Sequence, residues 1–144
     1  MESALSRLKK LTDHIVSYEL ARNENHKRLV KLYEILKIEE KCEAFENIFE
    51  FKAMNLMGIS LKEESLGMVT LGRYIQLLAI KAKKPDVTGS LNVSLGYFGK
   101  SDTIDPMIKD HLVEFVLRWR FEKSFMTLSH YDQMVKGLQK SELV

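Results

Sequence analysis

The feature that most constrains this chain is a long apolar helix predicted to begin at Asp105-Pro106. Asp is a preferred N-cap because its carboxylate accepts from the free N–H groups of the first turn, and Pro suits the first helical position, which needs no N–H. Beyond this start, apolar residues recur at helical spacing in two adjoining rows. The rows are Ile108, Leu112, Phe115, Val116 and Trp119, and Leu117, Phe121, Phe125 and Leu128. A helix that is apolar over so much of its circumference must be surrounded, so we predict the core helix of a compact α-rich domain.

The N-terminal region, residues 3–57, contains neither Pro nor Gly and is predicted to be helical almost throughout. Its apolar residues follow a 4-3-4-3 spacing that Arg22 and Asn25 interrupt. The apolar members are Ala4, Leu8, Leu11, Ile15 and Tyr18 before the interruption, and Leu29, Leu32 and Leu36 after it. This pattern fits either one continuous coiled-coil-like helix with a polar break or two helices folded back as a hairpin near residues 23–25. We favour the hairpin, because this stretch is the weakest helical one and Asn caps helices well.

The middle of the chain carries further helical signals. A new apolar stripe predicts a helix over about 39–57, ended by Gly58. Ser60 and Glu63 match a capping box, which predicts a short helix from Leu61. Residues 68–83 predict a stronger helix that Pro85 stops, although residues 68–71 would also fit a short extended piece.

Residues 90–98 differ from the rest, because apolar and polar residues alternate there as they do in a strand. The alternating apolar residues are Leu91, Val93, Leu95 and Tyr97. We expect these four to pack inward onto the long helix, in a segment that lies at the edge of the domain. A strand needs a partner, which could be residues near Val87, the piece at 68–71, or another chain. The alternative is an ordered apolar loop packed over the core.

These elements together predict the fold class. We expect a single domain over residues 1–144, mostly α, built as a bundle of about five to six helices with a long central C-terminal helix. One short strand-like or hairpin segment is expected near 87–98. The helical hairpin or coiled-coil-like region covers 1–57, a helix and the strand-like segment cover 58–104, and the core helix lies in 105–144. A second capping box at residues 129–132 predicts a bend and a short final helix over about 130–140.

Composition limits the classes of protein to which the chain can belong. A net charge of +2 excludes the bulk polycation expected of a histone-like binder. Charge is uneven, since residues 39–66 carry an acidic excess between two mildly basic regions. Cys42 is the single cysteine, so no disulfide can form within one chain, and no apolar run of about 18 residues predicts a membrane span. Met1 to Lys10 are not followed by a signal-peptide core, and we expect a protein of the cytoplasm or nucleus, in a reducing compartment.

No motif that carries chemistry is present in the sequence. The four histidines show no metal-ligand spacing, and the series from Glu39 to Glu50 fits a solvated helix face. The segment that ends in Gly99-Lys100-Ser101 lacks the first glycine of a phosphate-binding loop. Cys42 lies among carboxylates, which oppose thiolate formation. We therefore predict no catalytic, cofactor-binding or metal-binding residues, and an enzyme without a recognisable motif stays a second alternative.

The apolar N-terminal seam motivates the first functional hypothesis, a non-enzymatic interaction or assembly module that associates with itself. The seam exceeds what one face of a short hairpin needs, and seven Met residues suit adaptable contact surfaces. We expect a homo-oligomer, most simply a dimer, with an unknown protein partner and no cofactor. The predicted contact residues are Leu8, Leu11, Ile15, Tyr18, Leu29, Leu32 and Leu36.

The alternative hypothesis is a small RNA- or DNA-binding accessory or regulatory protein, for instance a viral one. Its sharpest support is the basic and aromatic stretch from Arg118 to Lys123, with a second basic segment near residues 81–84. Such residues would neutralise phosphates without reading bases. The predicted contact residues are Arg73, Lys81, Lys83, Lys84, Lys100, Arg118, Arg120 and Lys123.

Overall fold

Two long helices pack against one face of a small sheet in this chain. The structure, a computed structural model, describes residues 3–82 and 91–142, with the backbone alone at 11, 12, 14–17 and 140–142. The helices and strands are α1 (Ala4–Ile35), β1 (Ala53–Met57), β2 (Tyr74–Lys81), β3 (Leu91–Lys100) and α2 (Pro106–Glu142). Short 3-10 turns lie at Ile38–Glu40, Phe45–Glu50, Glu63–Ser65 and Ser101–Thr103.

The prediction of a bundle of five to six helices is wrong. Strand β2 takes the place of the helix predicted over 68–83. The helix predicted over 39–57 is replaced by two 3-10 turns followed by β1, and the predicted helix at Leu61 is only a 3-10 turn. In β2, Ile75, Leu77 and Ala79 are buried on one face of the sheet. The opposite face of β2 is also largely apolar, so the alternation expected of a half-buried strand is hidden in the sequence.

Both long helices are continuous. The hairpin interpretation of the N-terminal region is wrong, and the continuous helix with a polar break at Arg22 and Asn25 is the observed structure. The predicted bend at residues 129–132 is also absent, because α2 runs through it. The predicted start of α2 is confirmed, since Asp105 Oδ1 accepts from the Met107 N–H at 2.8 Å.

The predicted strand at 90–98 is confirmed as β3, and its partner is β2, in the order β1-β2-β3. Leu77 pairs with Gly96 and Leu78 with Ser94, so Leu95 is the extra residue of a bulge. The bulge changes which residues face inward. Leu95 is buried and Val93 packs against the core as expected, but Tyr97 and Leu91 are 69% and 42% exposed, contrary to the prediction.

The core lies between one face of the sheet and the two helices. The C-terminal half of α1 and the N-terminal half of α2 supply its helical layer, and Trp119 Nε1–H donates to the Ile48 carbonyl at 2.8 Å inside it. The largest fully buried apolar side chains that the structure describes are Leu29, Leu32, Ile38, Ile48, Met54, Ile75, Leu77, Leu95, Leu112, Phe115 and Val116. The core therefore occupies only one end of each long helix.

Candidate functional site

The candidate site consists of the parts of the two helices that extend beyond the core. No described side chain of α1 before Asn25 is buried, and none of α2 is buried after Glu122. We name residues 4–21 and 123–142 together the stalk. At 1.5 Å per residue its two segments are about 27 and 30 Å long. Both segments lie past the side chains that form the core.

A polar layer joins the two helices where the stalk leaves the core. Arg22 Nη2 donates to Glu122 Oε1 at 2.7 Å, and Glu122 is only 6% exposed. Asn25, 1% exposed, donates from Nδ2 to the Arg118 carbonyl at 2.9 Å and accepts from Arg118 Nη1 at 3.1 Å. Such buried polar pairs fix register, because any shift would leave charged groups unpaired in the interface. The two helices run antiparallel at this point.

Next to this layer, Glu114 receives hydrogen bonds from both helices. Its carboxylate accepts from Arg28 at 2.9 Å and from Arg118 Nε at 2.7 Å. The Arg28 hydrogen bond is the largest cause that lowers the pKa of Glu114 to about 2, although burial alone would raise it. The carboxylate is therefore charged at neutral pH and holds the helices in a fixed arrangement.

Large apolar side chains are exposed along the stalk. On α2, Leu128, Tyr131, Val135 and Leu138 recur with the 3-4-3 spacing of a coiled-coil seam, and Leu128 is 66% exposed. Among the side chains of the stalk that the structure describes, the exposed large apolar ones are Leu5, Leu8, Tyr18, Leu20, Met126, Leu128, Tyr131, Met134, Val135 and Leu138. Large exposed apolar patches are typical of interaction sites in proteins.

Charge is distributed unequally between the two ends of the stalk. Arg7 and Lys9 are exposed near the tip of α1. At the base, a groove of about 720 Å³ between the helices and the Phe45–Glu50 turn is lined by Glu19, Glu46 and Glu122 among other residues. Glu122 is paired with Arg22, whereas Glu19 and Glu46 are exposed. The tip is therefore basic and the base carries exposed carboxylates.

The predicted self-association residues divide into three groups. Leu29, Leu32 and Leu36 lie in the core of the chain itself. Leu8 and Tyr18 lie on the stalk and are 59% and 52% exposed. The side chains of Leu11 and Ile15 lie outside the described part of the chain. Sequence reasoning missed the α2 half of the stalk, whose signal was the apolar spacing that continues after Leu128.

The basic stretch of α2 is occupied by contacts within the chain. Arg118 bonds Glu114 and Asn25. Arg120 Nη2 donates to the Met54 carbonyl at 3.0 Å, and Lys123 Nζ donates to the Phe49 carbonyl at 2.8 Å. These cations hold the Phe45–Glu50 turn and β1 against α2. Because each of these cations contacts another part of the chain, they do not form one common basic patch.

The other predicted phosphate contacts lie at opposite ends of the sheet. Tyr74 of β2 pairs with Lys100 of β3, so Arg73 and Lys100 are close together. Lys81 is at the far end of β2, about 23 Å away at the rise of a strand. Lys83 and Lys84 lie outside the described residues. Of the eight predicted basic residues, the structure brings together Arg73 and Lys100 on an exposed surface.

Chemical features of the described residues are few. Burial, and secondarily the Glu50 carboxylate, raises the pKa of the Cys42 thiol, which favours the unreactive protonated form. No group of three or more His, Cys, Asp or Glu residues that could hold a metal occurs in the part of the chain that the structure describes. Over the same residues, neither long helix is apolar enough to cross a membrane.

Comparison with known proteins gives no relative from which a function could be transferred. No family model, curated protein or solved structure matches the chain.

Proposed function

We propose that this protein is a non-enzymatic assembly module that associates with a second copy of itself through the stalk. The observation that carries the proposal is the row of exposed apolar side chains on helices that extend about 27 to 30 Å past the core. The single cysteine suits the reducing compartments, cytoplasm or nucleus, in which we place the protein.

Helix energetics support an assembly role for the stalk. Most helical stability in proteins comes from packing of an apolar face rather than from intrinsic propensity. Two helices side by side present a face about 20 Å wide, so a stalk about 27 Å long offers on the order of 500 Å² per copy. A pair of such faces buries about 1,000 Å², which is the minimum size expected of a biological interface. Covering the stalk would therefore both stabilise its helices and form an interface.

Charge distribution supports a second copy as the partner. In a two-fold dimer the same surface contributes to both sides of the interface. If two stalks lie side by side in opposite directions, the basic tip, where Arg7 and Lys9 lie on nearly opposite sides of α1, comes near the base of the other copy with its exposed Glu19 and Glu46. Each contact occurs twice, and opposite charges then steer the pairing. The parallel arrangement would place the two basic tips together.

The experiment compares apolar positions on and off the stalk. Leu8→Glu and Leu128→Glu should each weaken dimerisation at least about tenfold, because burying a leucine contributes roughly 1.5–3 kcal/mol and each site occurs twice. Both side chains are largely exposed in one copy, so folding should be retained. Sedimentation equilibrium over a concentration series gives the dissociation constant, and circular dichroism gives the helix content.

Leu66→Glu is the matched control, because Leu66 is also exposed but lies in the loop between β1 and β2. Its dimerisation should equal that of the wild type. A wild-type chain that stays monomeric up to high concentration would refute the proposal. Equal weakening by all three substitutions would also refute it, because the interface would then lie elsewhere than on the stalk.

A further inference from the structure

The face of the sheet that points away from the helices carries a group of exposed aromatic and basic residues. Tyr74 on β2 is 60% exposed and Tyr97 on β3 is 69% exposed. Both line a shallow cavity of about 410 Å³, together with Arg73, Gln76 and Met57. Gln76 pairs with Tyr97 across the two strands, which places their side chains on the same face. We name this group the tyrosine face.

The tyrosine face has a favourable charge for an anion. The three strands, 5, 8 and 10 residues long, contain Lys81 and Lys100 but no Asp or Glu. Lys100 Nζ lies 5.9 Å from the centre of the Tyr74 ring, and Arg73 precedes Tyr74 in the chain. One carboxylate lies nearby, because Asp102 accepts from the Gly72 N–H at 2.8 Å, and the two cations Arg73 and Lys100 outnumber it.

We propose that the tyrosine face binds single-stranded nucleic acid. Exposed aromatic rings provide surfaces on which bases of any sequence can stack, and adjacent cations neutralise the phosphates. Tyr74 and Tyr97 would supply the stacking surfaces, and Arg73 and Lys100 the positive charge. The Gln76 amide can donate to and accept from the edge of a base held between them. This inference is independent of the proposed dimer, because the tyrosine face lies on the sheet and the stalk lies on the helices.

Charge and shape favour a nucleic acid strand over an acidic peptide on this face. A peptide that docks by apolar anchors needs a concave apolar groove. The cavity here is shallow, and polar Arg73 and Gln76 stand beside its two tyrosines. Stacking requires only accessible ring faces with cations nearby, and both are present.

The binding experiment uses fluorescently labelled oligonucleotides of about 12 nucleotides, as single-stranded RNA, single-stranded DNA and duplex DNA. Fluorescence anisotropy with the full-length chain should show micromolar binding to single strands at about 50 mM salt, and much weaker binding at about 200 mM. Tyr74→Ala and Tyr97→Ala should each weaken binding about tenfold, whereas Tyr74→Phe and Tyr97→Phe should retain it because the ring remains. Arg73→Gln should reduce the salt dependence by about one released counterion.

Tyr131→Ala is the control, because Tyr131 has the same exposure, 60%, but lies on the stalk. This variant should bind single strands as the wild type does. No binding at low salt would overturn the proposal, as would equal weakening by Tyr131→Ala. Tighter binding of the duplex would also overturn it. So would binding of an acidic peptide that Tyr74→Ala abolishes while no oligonucleotide binds. A stalk variant that is monomeric but binds single strands normally would separate this inference from the proposed dimer.

Discussion

Glu114 shows how strongly a single charged residue can couple the two long helices. Arg28 on α1 and Arg118 on α2 both donate to its carboxylate, and together they hold its pKa at about 2, below the ordinary 4.5. At pH values between about 2 and 4.5, the Glu114 carboxylate is more often protonated in the unfolded chain than in the folded chain. The stability that Glu114 contributes is therefore complete above about pH 5 and is lost as the pH falls toward 2.

Glu114→Gln should lower the free energy of unfolding at pH 7 by about 1–2 kcal/mol, since the partly exposed site is screened by solvent. It should also reduce the loss of stability between about pH 5 and pH 2. Urea denaturation at several pH values measures both effects. Glu34→Gln, at an exposed position of α1, is the control and should not reproduce this change. An unchanged profile in Glu114→Gln would contradict the assigned role.

Other residues of α2 show why single residues can suggest a binding surface that the folded chain uses for internal contacts. The basic and aromatic stretch from Arg118 to Lys123 resembles a phosphate-binding surface in one dimension. In the structure, Trp119, Arg120 and Lys123 donate to backbone carbonyls of the Phe45–Glu50 turn and β1. Carbonyl acceptors leave no trace in residue types, so the sequence could not show that these donors were already engaged.

At the scale of elements, the bulge in β3 depends on Gly96. A Cβ built at Gly96 would lie 2.9 Å from the ring of Phe98, closer than such atoms approach in folded proteins. Phe98 packs against the core, so it cannot move away without disturbing that packing. Because Gly96 has no side chain, the Phe98 ring can lie beside it, and the side chains of Leu95 and Phe98 both face the core.

Gly96→Ala should lower the free energy of unfolding by about 1–3 kcal/mol, because it overpacks this site. Gly137→Ala is the matched comparison in the exposed part of α2, where an added Cβ meets no atom within 4 Å. It should raise the stability of the helix by about 0.5–1 kcal/mol, since alanine favours helix more than glycine does. Thermal and urea denaturation give both values. Destabilisation by Gly137→Ala, or none by Gly96→Ala, would contradict this account of β3.

Elements were predictable where their signals were local. The N-cap of α2 and the strand at 90–98 were predicted from neighbouring residues, and both predictions are confirmed. β1 and β2 were predicted as helices, because their identity depends on pairing with each other and with β3. Apolar residues on both faces of β2 also remove the alternation that would have identified it.

At the scale of the whole molecule, the apolar spacing of α1 forms core in one part of the helix and exposed surface in the other. The seam of α1 is core at Leu29 and Leu32 but exposed surface at Leu8 and Tyr18. The sequence could predict the seam, because helical periodicity is local. It could not predict where the core ends, because that limit is set by the sheet, whose length and position were not foreseen. The α2 half of the stalk was missed for the same reason.

The most direct test of self-association uses charge-reversed chains, one with Arg7→Glu and Lys9→Glu and the other with Glu19→Lys and Glu46→Lys. In the proposed antiparallel dimer, each variant alone brings like charges together at both contacts, whereas a mixture restores opposite charges at both. Sedimentation equilibrium should therefore show monomers for each variant alone, at concentrations where the wild type is dimeric, and a one-to-one heterodimer on mixing. Two variants that dimerise as the wild type does, or a mixture that stays monomeric, would contradict the proposed stalk dimer.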